Sequence, residues 1–195
     1  MKAVIFILII LLTGGCAADN SVKEKTVVET TNIAQEIVIQ EKEEEMKFPF
    51  YDIPMSYELQ EYTFKLCQEY DIAYELALGV IYVESRFKPD AKGASSIGLM
   101  QLNKNTYPWI AGELEINRFD PYNAKQNIHA GIYYLDYLRG YWIDKGYTDE
   151  SAFSLMLISY NMGVSNCSKY VSKHGLDYGY VDKVYEYKTH LEQSI

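Results

Sequence analysis

The chain has 195 residues, 48% of them hydrophobic and 23% charged, with 27 acidic against 18 basic side chains and a formal net charge of −9. This composition excludes a wholly disordered chain, and the length suits one domain with a tail. The acidic balance excludes a general nucleic-acid binder, which needs a basic face to displace counterions.

At the N-terminus, Lys2 is followed by an apolar run from Ala3 to Leu12 and then by Thr13-Gly14-Gly15-Cys16. The run is shorter than the roughly 20 residues a bilayer span takes. A basic start, a short apolar stretch and small residues define residues 1–15 as an export signal. A cysteine directly after Gly-Gly resembles the lipobox of bacterial lipoproteins, with Thr13 standing where leucine is usual. That resemblance implies lipidation at Cys16 and a membrane anchor on the extracytoplasmic face. A plain secretory signal or an uncleaved anchor is the other reading, and export holds in each.

Residues 16–47 have a different character. Between Asp19 and Glu45 there are eight acids against three bases, with no aromatic, glycine or proline residue. Such a segment is a solvated tether, spanning roughly 30 Å as a flexible coil. Val27, Val28, Ile33, Ile37 and Val38 would form a stripe if the segment were helical.

The domain occupies residues 48–195. Ser56 is a candidate N-cap for a helix carrying Leu59, Tyr62, Leu66 and Tyr70 at helical spacing. A second helix is predicted from Ala73 to Arg86, ending before Pro89. A polar loop from Asp90 to Ser96 then leads into a helical stretch from about Ile97. Asp120-Pro121 opens another helix, with Gly140 as its end. Ser151 to Met162 reads as a buried helix stopped by Gly163, and Val181 to Leu191 as the last. Period-two alternation is scarce and no internal repeat is present, so the expected class is all-α. Cys67 and Cys167 form an even pair in an exported domain. A bridge would close a loop of about 100 residues, worth up to roughly 4.7 kcal/mol; two buried free thiols are the alternative.

The strongest chemical feature is Ala77-Leu78-Gly79-Val80-Ile81-Tyr82-Val83-Glu84-Ser85, a lone carboxylate closing an apolar helical run. Val80 and Ile81 lie one turn back on the face of Glu84, where desolvation raises a carboxyl pKa. A carboxylic acid kept protonated is what donation to a glycosidic oxygen requires. On its own, Glu84 reads more readily as a helix-end glutamate, solvated or paired with Arg86.

Three further segments change that balance: Gly98-Leu99-Met100-Gln101, Ser159-Tyr160-Asn161-Met162-Gly163, and Tyr180-Val181-Asp182-Lys183-Val184. With Glu84-Ser85-Arg86-Phe87 ahead of them, this set and order resembles the catalytic domain of the soluble lytic transglycosylases, a fold akin to goose-type lysozyme. The block from Asp120 to Gly131 also resembles that family. The likeness covers about residues 70 to 190.

The resemblance implies a lysozyme-like domain that acts on peptidoglycan glycan strands without cofactor or metal. Glu84 would be the single acid/base at the β-1,4 bond between N-acetylmuramic acid and N-acetylglucosamine, forming 1,6-anhydro ends. Gln101 would bond substrate beside it, and Met100 would line the cleft. Tyr160 and Asn161 would position the N-acetyl group, and Tyr180 would orient Glu84. Ser85 would support the helix end.

The sequence departs from the family at Ser95-Ser96, where Gly-Ala is usual, and at Met162, where Ala is usual. A proline common after the second motif is absent from Leu102 to Thr106. His129, His174 and His190 lack metal-ligand spacing, and no nucleophile-elbow signature is present. A hydrolytic muramidase on the same fold, or a glycan-binding module without turnover, fits the same residues.

Overall fold

The computed structural model describes residues 48–194. The expected export signal, Cys16 and the tether lie outside the described residues.

An extended entry, Phe48 to Met55, is fastened to the first helix, α1 (Tyr57–Glu69), by the buried Gln60 amide. Gln60 Nε2 donates to the carbonyls of Tyr51 and Met55, and its Oε1 accepts from Tyr51 N and Tyr74 Oη. Ser56 caps α1, its Oγ accepting from Leu59 N at 3.3 Å, as its sequence position predicts.

Helix α2 (Tyr74–Ser85) is the buried axis of the domain: Leu76 to Ile81 are all inaccessible to solvent or nearly so. It packs along α7 (Gly179–Glu192), and Gly79 permits their approach, since a Cβ there would lie 2.7 Å from the Val184 carbonyl oxygen. Helices α3 (Tyr107–Glu113), α4 (Ala124–Asp144), α5 (Asp149–Met162) and α6 (Val164–His174) complete the all-α fold. Ile128, Ile132, Leu135 and Leu138 of α4 meet Leu155 and its neighbours of α5 in one core. Trp142 Nε1 donates to Ser159 Oγ across that interface at 2.9 Å.

Three expectations need correction. The segment from Ile97 is not helical; strands β1 (Ser96–Ile97) and β2 (Leu102–Asn103) pair antiparallel around a tight loop. Gly98 at φ 84° and Gln101 at φ 47° are both left-handed, which interrupts any right-handed helix there. Gly140 lies inside α4, which runs on to Asp144 because Leu138 and Trp142 on either side remain buried. Asp120-Pro121 is a turn ahead of α4, and Asn123 is the cap, its Oδ1 accepting from Gln126 N. Gly163 stops α5 at φ 81° as expected, and α6, which the sequence reading did not include, starts immediately after it. Cys67 and Cys167 are both buried free thiols, and burial pushes their pKa values up.

Among the described residues, no helix is long and apolar enough to cross a membrane.

Candidate active site

Glu84 occupies the last turn of α2. The turn after it is firmly fixed. Arg86 (φ 53°) and Phe87 (φ 61°) are consecutive left-handed residues, a strained conformation that persists only where its surroundings over-determine it. Phe87 is buried, and the Arg86 guanidinium lies 3.8 Å from the Tyr82 ring centroid. Tyr82 in turn stacks on Tyr187 of α7 at 3.7 Å and 10°. Arg86 is therefore engaged over a ring rather than paired with Glu84. Ser85 is buried and donates to the Ile81 carbonyl, closing the helix end.

The Glu84 carboxyl is half-buried above Val80 and Ile81, which are fully buried. Burial pushes its pKa up, opposed by a hydrogen bond from Tyr180 Oη to Glu84 Oε1 at 2.6 Å. Burial and the nearby Glu84 charge hold Tyr180 and Tyr160 well above the ordinary phenol range, so both remain donors.

Facing Glu84 is a cleft of about 380 Å3. One wall is the β1–β2 hairpin with Ser95, Ser96, Gln101, Asn103 and Thr106; the other is the end of α5, from Ser159 to Gly163, with Tyr134 of α4. Glu84 is the one acidic group among these lining residues, and none of them is basic.

The hairpin loop is held from behind. Asn127, fully buried on α4, accepts from Met100 N at 2.8 Å and donates to the carbonyls of Ile97 and Pro121. Gly98 is required there, because a Cβ would stand 2.3 Å from Asn127 Nδ2. Tyr160 Oη donates to the Met100 carbonyl at 2.7 Å, tying α5 to the same loop.

Gln101 lines the cleft, but both its amide hydrogens are used within the loop, by the Ala91 and Gly98 carbonyls. Its Oε1 accepts from Ser96 Oγ at 2.8 Å. Ser95 and Ser96 thus both line the cleft, and Ser95 Oγ accepts from Asn103 Nδ2. Tyr160 and Asn161 are on the opposite wall, where Asn161 Oδ1 accepts from Tyr178 Oη at 2.7 Å.

The side chain of Met100 is not in the cleft. It is fully buried against Gly131, where a Cβ would come 2.1 Å from its Sδ. Its contribution to the site is its backbone, bonded at N and O. Sequence reasoning did not single out Tyr134 or Tyr178, and it met Asn127 only inside the family-like block from Asp120 to Gly131. His129 shares a hydrogen bond with Tyr70, consistent with a structural role. Among the described residues no cluster of potential metal ligands is present.

The architecture is that of a lysozyme-like transglycosylase domain. It superposes with a TM-score of 0.61 on lytic transglycosylase Slt of Pseudomonas aeruginosa, solved as an inactive mutant, at 17% identity over 73% of this chain and 25% of that one. The 70 kDa soluble lytic transglycosylase of Escherichia coli gives 0.58 at 18% identity, covering 72% and 25%. Residues 61–178 match the model of the transglycosylase SLT domain. The chain belongs to that family.

Among curated proteins it is 35% identical over 106 residues to membrane-bound lytic murein transglycosylase C of Actinobacillus pleuropneumoniae, covering 51% of this chain and 29% of that protein. The same-named protein of Glaesserella parasuis is 36% identical over 110 residues, with the same coverage. The match therefore spans under a third of those relatives' length.

Proposed function

We propose that this chain is a peptidoglycan lytic transglycosylase that cleaves the β-1,4 bond between N-acetylmuramic acid and N-acetylglucosamine with Glu84 as its single acid/base. The observation that carries this reading is a solitary carboxyl, raised in pKa by burial and aimed by Tyr180, in a cleft with no second lining acid. A two-carboxylate glycosidase needs an acid on each side of the scissile bond. With one carboxyl the same group serves both steps. Glu84 gives its proton to the departing glycosidic oxygen as the C1–O bond breaks. It then takes the proton of the muramic acid 6-hydroxyl as that oxygen bonds to C1, closing the anhydro ring without consuming water.

Tyr160 and Asn161 line the wall that positions the N-acetyl group. Because Asn161 Oδ1 is engaged by Tyr178, its amide nitrogen is the end presented to the substrate carbonyl. Gln101 acts chiefly by bracing the loop, with a remaining Oε1 lone pair for the substrate.

Mass spectrometry of muropeptides released from purified peptidoglycan tests the reading. Anhydro-muramyl ends, one water lighter than reducing ends, support it. Reducing ends would make the protein a muramidase, and no release at all would leave a glycan-binding module.

Tyr180 donates to the ionised form of Glu84, a bond that lowers its pKa. Tyr180→Phe removes that bond, so Glu84 holds its proton to higher pH. The alkaline limb of the kcat/KM profile is expected to move upward, and kcat to fall by roughly 10-fold, the worth of one charge-assisted hydrogen bond. An unmoved limb would remove Tyr180 from the proton chemistry.

The export signal and the Gly-Gly-Cys16 junction support a lipid-anchored protein on the extracytoplasmic face of the membrane, and the relatives that match this chain are called membrane-bound. Cys16→Ala is expected to release nearly all of the exported protein from the membrane fraction without changing its specific activity; full retention would refute the anchor.

A further inference from the structure

The cleft is short for a polymer. At about 380 Å3 it falls near the lower end of the roughly 300–1,000 Å3 range of ligand pockets. A glycan strand lying in it must therefore run out over the adjoining surface.

On the α3–α4 side that surface is aromatic. Tyr134 lines the cleft beside Tyr160, their ring centroids 5.6 Å apart. One turn along α4, Tyr137 lies nearly parallel to Tyr134, at 6.3 Å and 14°. Trp109 of α3 stands edge-on to Tyr137 at 4.8 Å and 66°. Both outer rings remain open to solvent, Trp109 at 38% and Tyr137 at 44% exposure. Burying them would have been favourable, so a contiguous exposed pair asks for an occupant. The indole is held in one orientation by its Nε1 donating to Glu113 Oε1 at 3.1 Å. Thr106, the last cleft residue of its segment, lies one turn before Trp109.

Resting on the transglycosylase reading, we infer that Trp109 and Tyr137 form an outlying glycan subsite, a stacking shelf for an N-acetylhexosamine ring beyond those held in the cleft. The occupant follows from the shelf's chemistry and position. Fixed ring faces with polar groups at their edges match a pyranose, which offers a flat C–H face bordered by hydroxyls. The shelf is continuous with the cleft through Tyr134.

The test is calorimetric titration of full-length Glu84→Gln protein, which leaves the probe uncut, with N-acetylglucosamine trimer and hexamer. The hexamer is expected to bind about 10-fold more tightly than the trimer or better. Adding Trp109→Ala and Tyr137→Ala should erase that advantage while trimer affinity stays within twofold. Trp109→Phe, which keeps a ring on the shelf, should retain most of it. Equal affinity for the two oligomers, or an advantage that survives both alanines, overturns the shelf and leaves the cleft reading standing. Failure of either oligomer to bind, together with no release of peptidoglycan by the parent protein, overturns both. A dimer in sedimentation that Trp109→Ala converts to monomer would make the shelf a self-association surface and refute the subsite.

Discussion

Glu84→Gln is expected to reduce release of anhydro-muropeptides by roughly 10³-fold or more, because one substitution removes both the acid and the base of the reaction. Glutamine keeps the volume of the side chain and still accepts from Tyr180, so the cleft and its affinity for glycan should survive. A second consequence separates loss of chemistry from loss of structure. Burial raises the Glu84 pKa in the folded state, so the ionised carboxylate costs stability that the neutral acid does not. That stability is fully present below the unfolded carboxyl range, about pH 4, and is lost as pH rises through the raised folded value. The neutral amide avoids the loss. The variant should therefore melt above the parent in neutral to alkaline solution. At about pH 3 the two should melt together. Full activity would sink the mechanism. A variant that is inactive and less stable at every pH would mean that the substitution disrupts the fold.

The same residue shows what the sequence makes legible. Glu84 stands out because an apolar helix ending in a carboxylate writes its environment into its neighbours, and the burial of Val80 and Ile81 follows from that pattern. The long helices are equally readable, since their periodicity is the packing. The β1–β2 hairpin is not, because strands of two residues are too short to express a period. Its shape depends on Gly98 and Gln101 adopting left-handed φ under tertiary constraint. The family resemblance puts Met100 in the cleft with Gln101, and no pattern in the sequence separates the two side chains. In this loop consecutive side chains take opposite directions, and Met100 fills the space that Gly131 leaves on α4. Helix α6 is hidden by Gly163, which reads as a stop, although Val164, Cys167 and Val171 behind it keep helical spacing and pack on the core.

Asn127→Ala is expected to cost about 3–5 kcal/mol of stability, the largest loss from any polar side chain behind the cleft. Removing the amide leaves the Met100 N–H and the Ile97 and Pro121 carbonyls without their partners, at roughly 1–3 kcal/mol for each buried group and less than additively. Activity should suffer beyond the stability loss. At temperatures where the variant is still folded, kcat/KM is expected to fall by roughly 100-fold, because a displacement of about 1 Å at a catalytic wall has that effect. The reason lies in the loop's own conformation. Left-handed Gln101 is unfavourable locally and persists only because surrounding groups impose it. Asn127 imposes it from the core side, while the Tyr160 hydroxyl and the Gln101 amide do so from the cleft side. Asn127→Asp divides the two halves of the amide's work. It keeps an acceptor for Met100 N but sets a carboxylate against two carbonyl oxygens, so it should be no more stable than the alanine variant near neutral pH. Melting curves with hydrogen exchange at the Met100 amide would decide the matter. If Asn127→Ala retains both the parental melting temperature and a protected Met100 amide, the cleft-side bonds alone hold the loop.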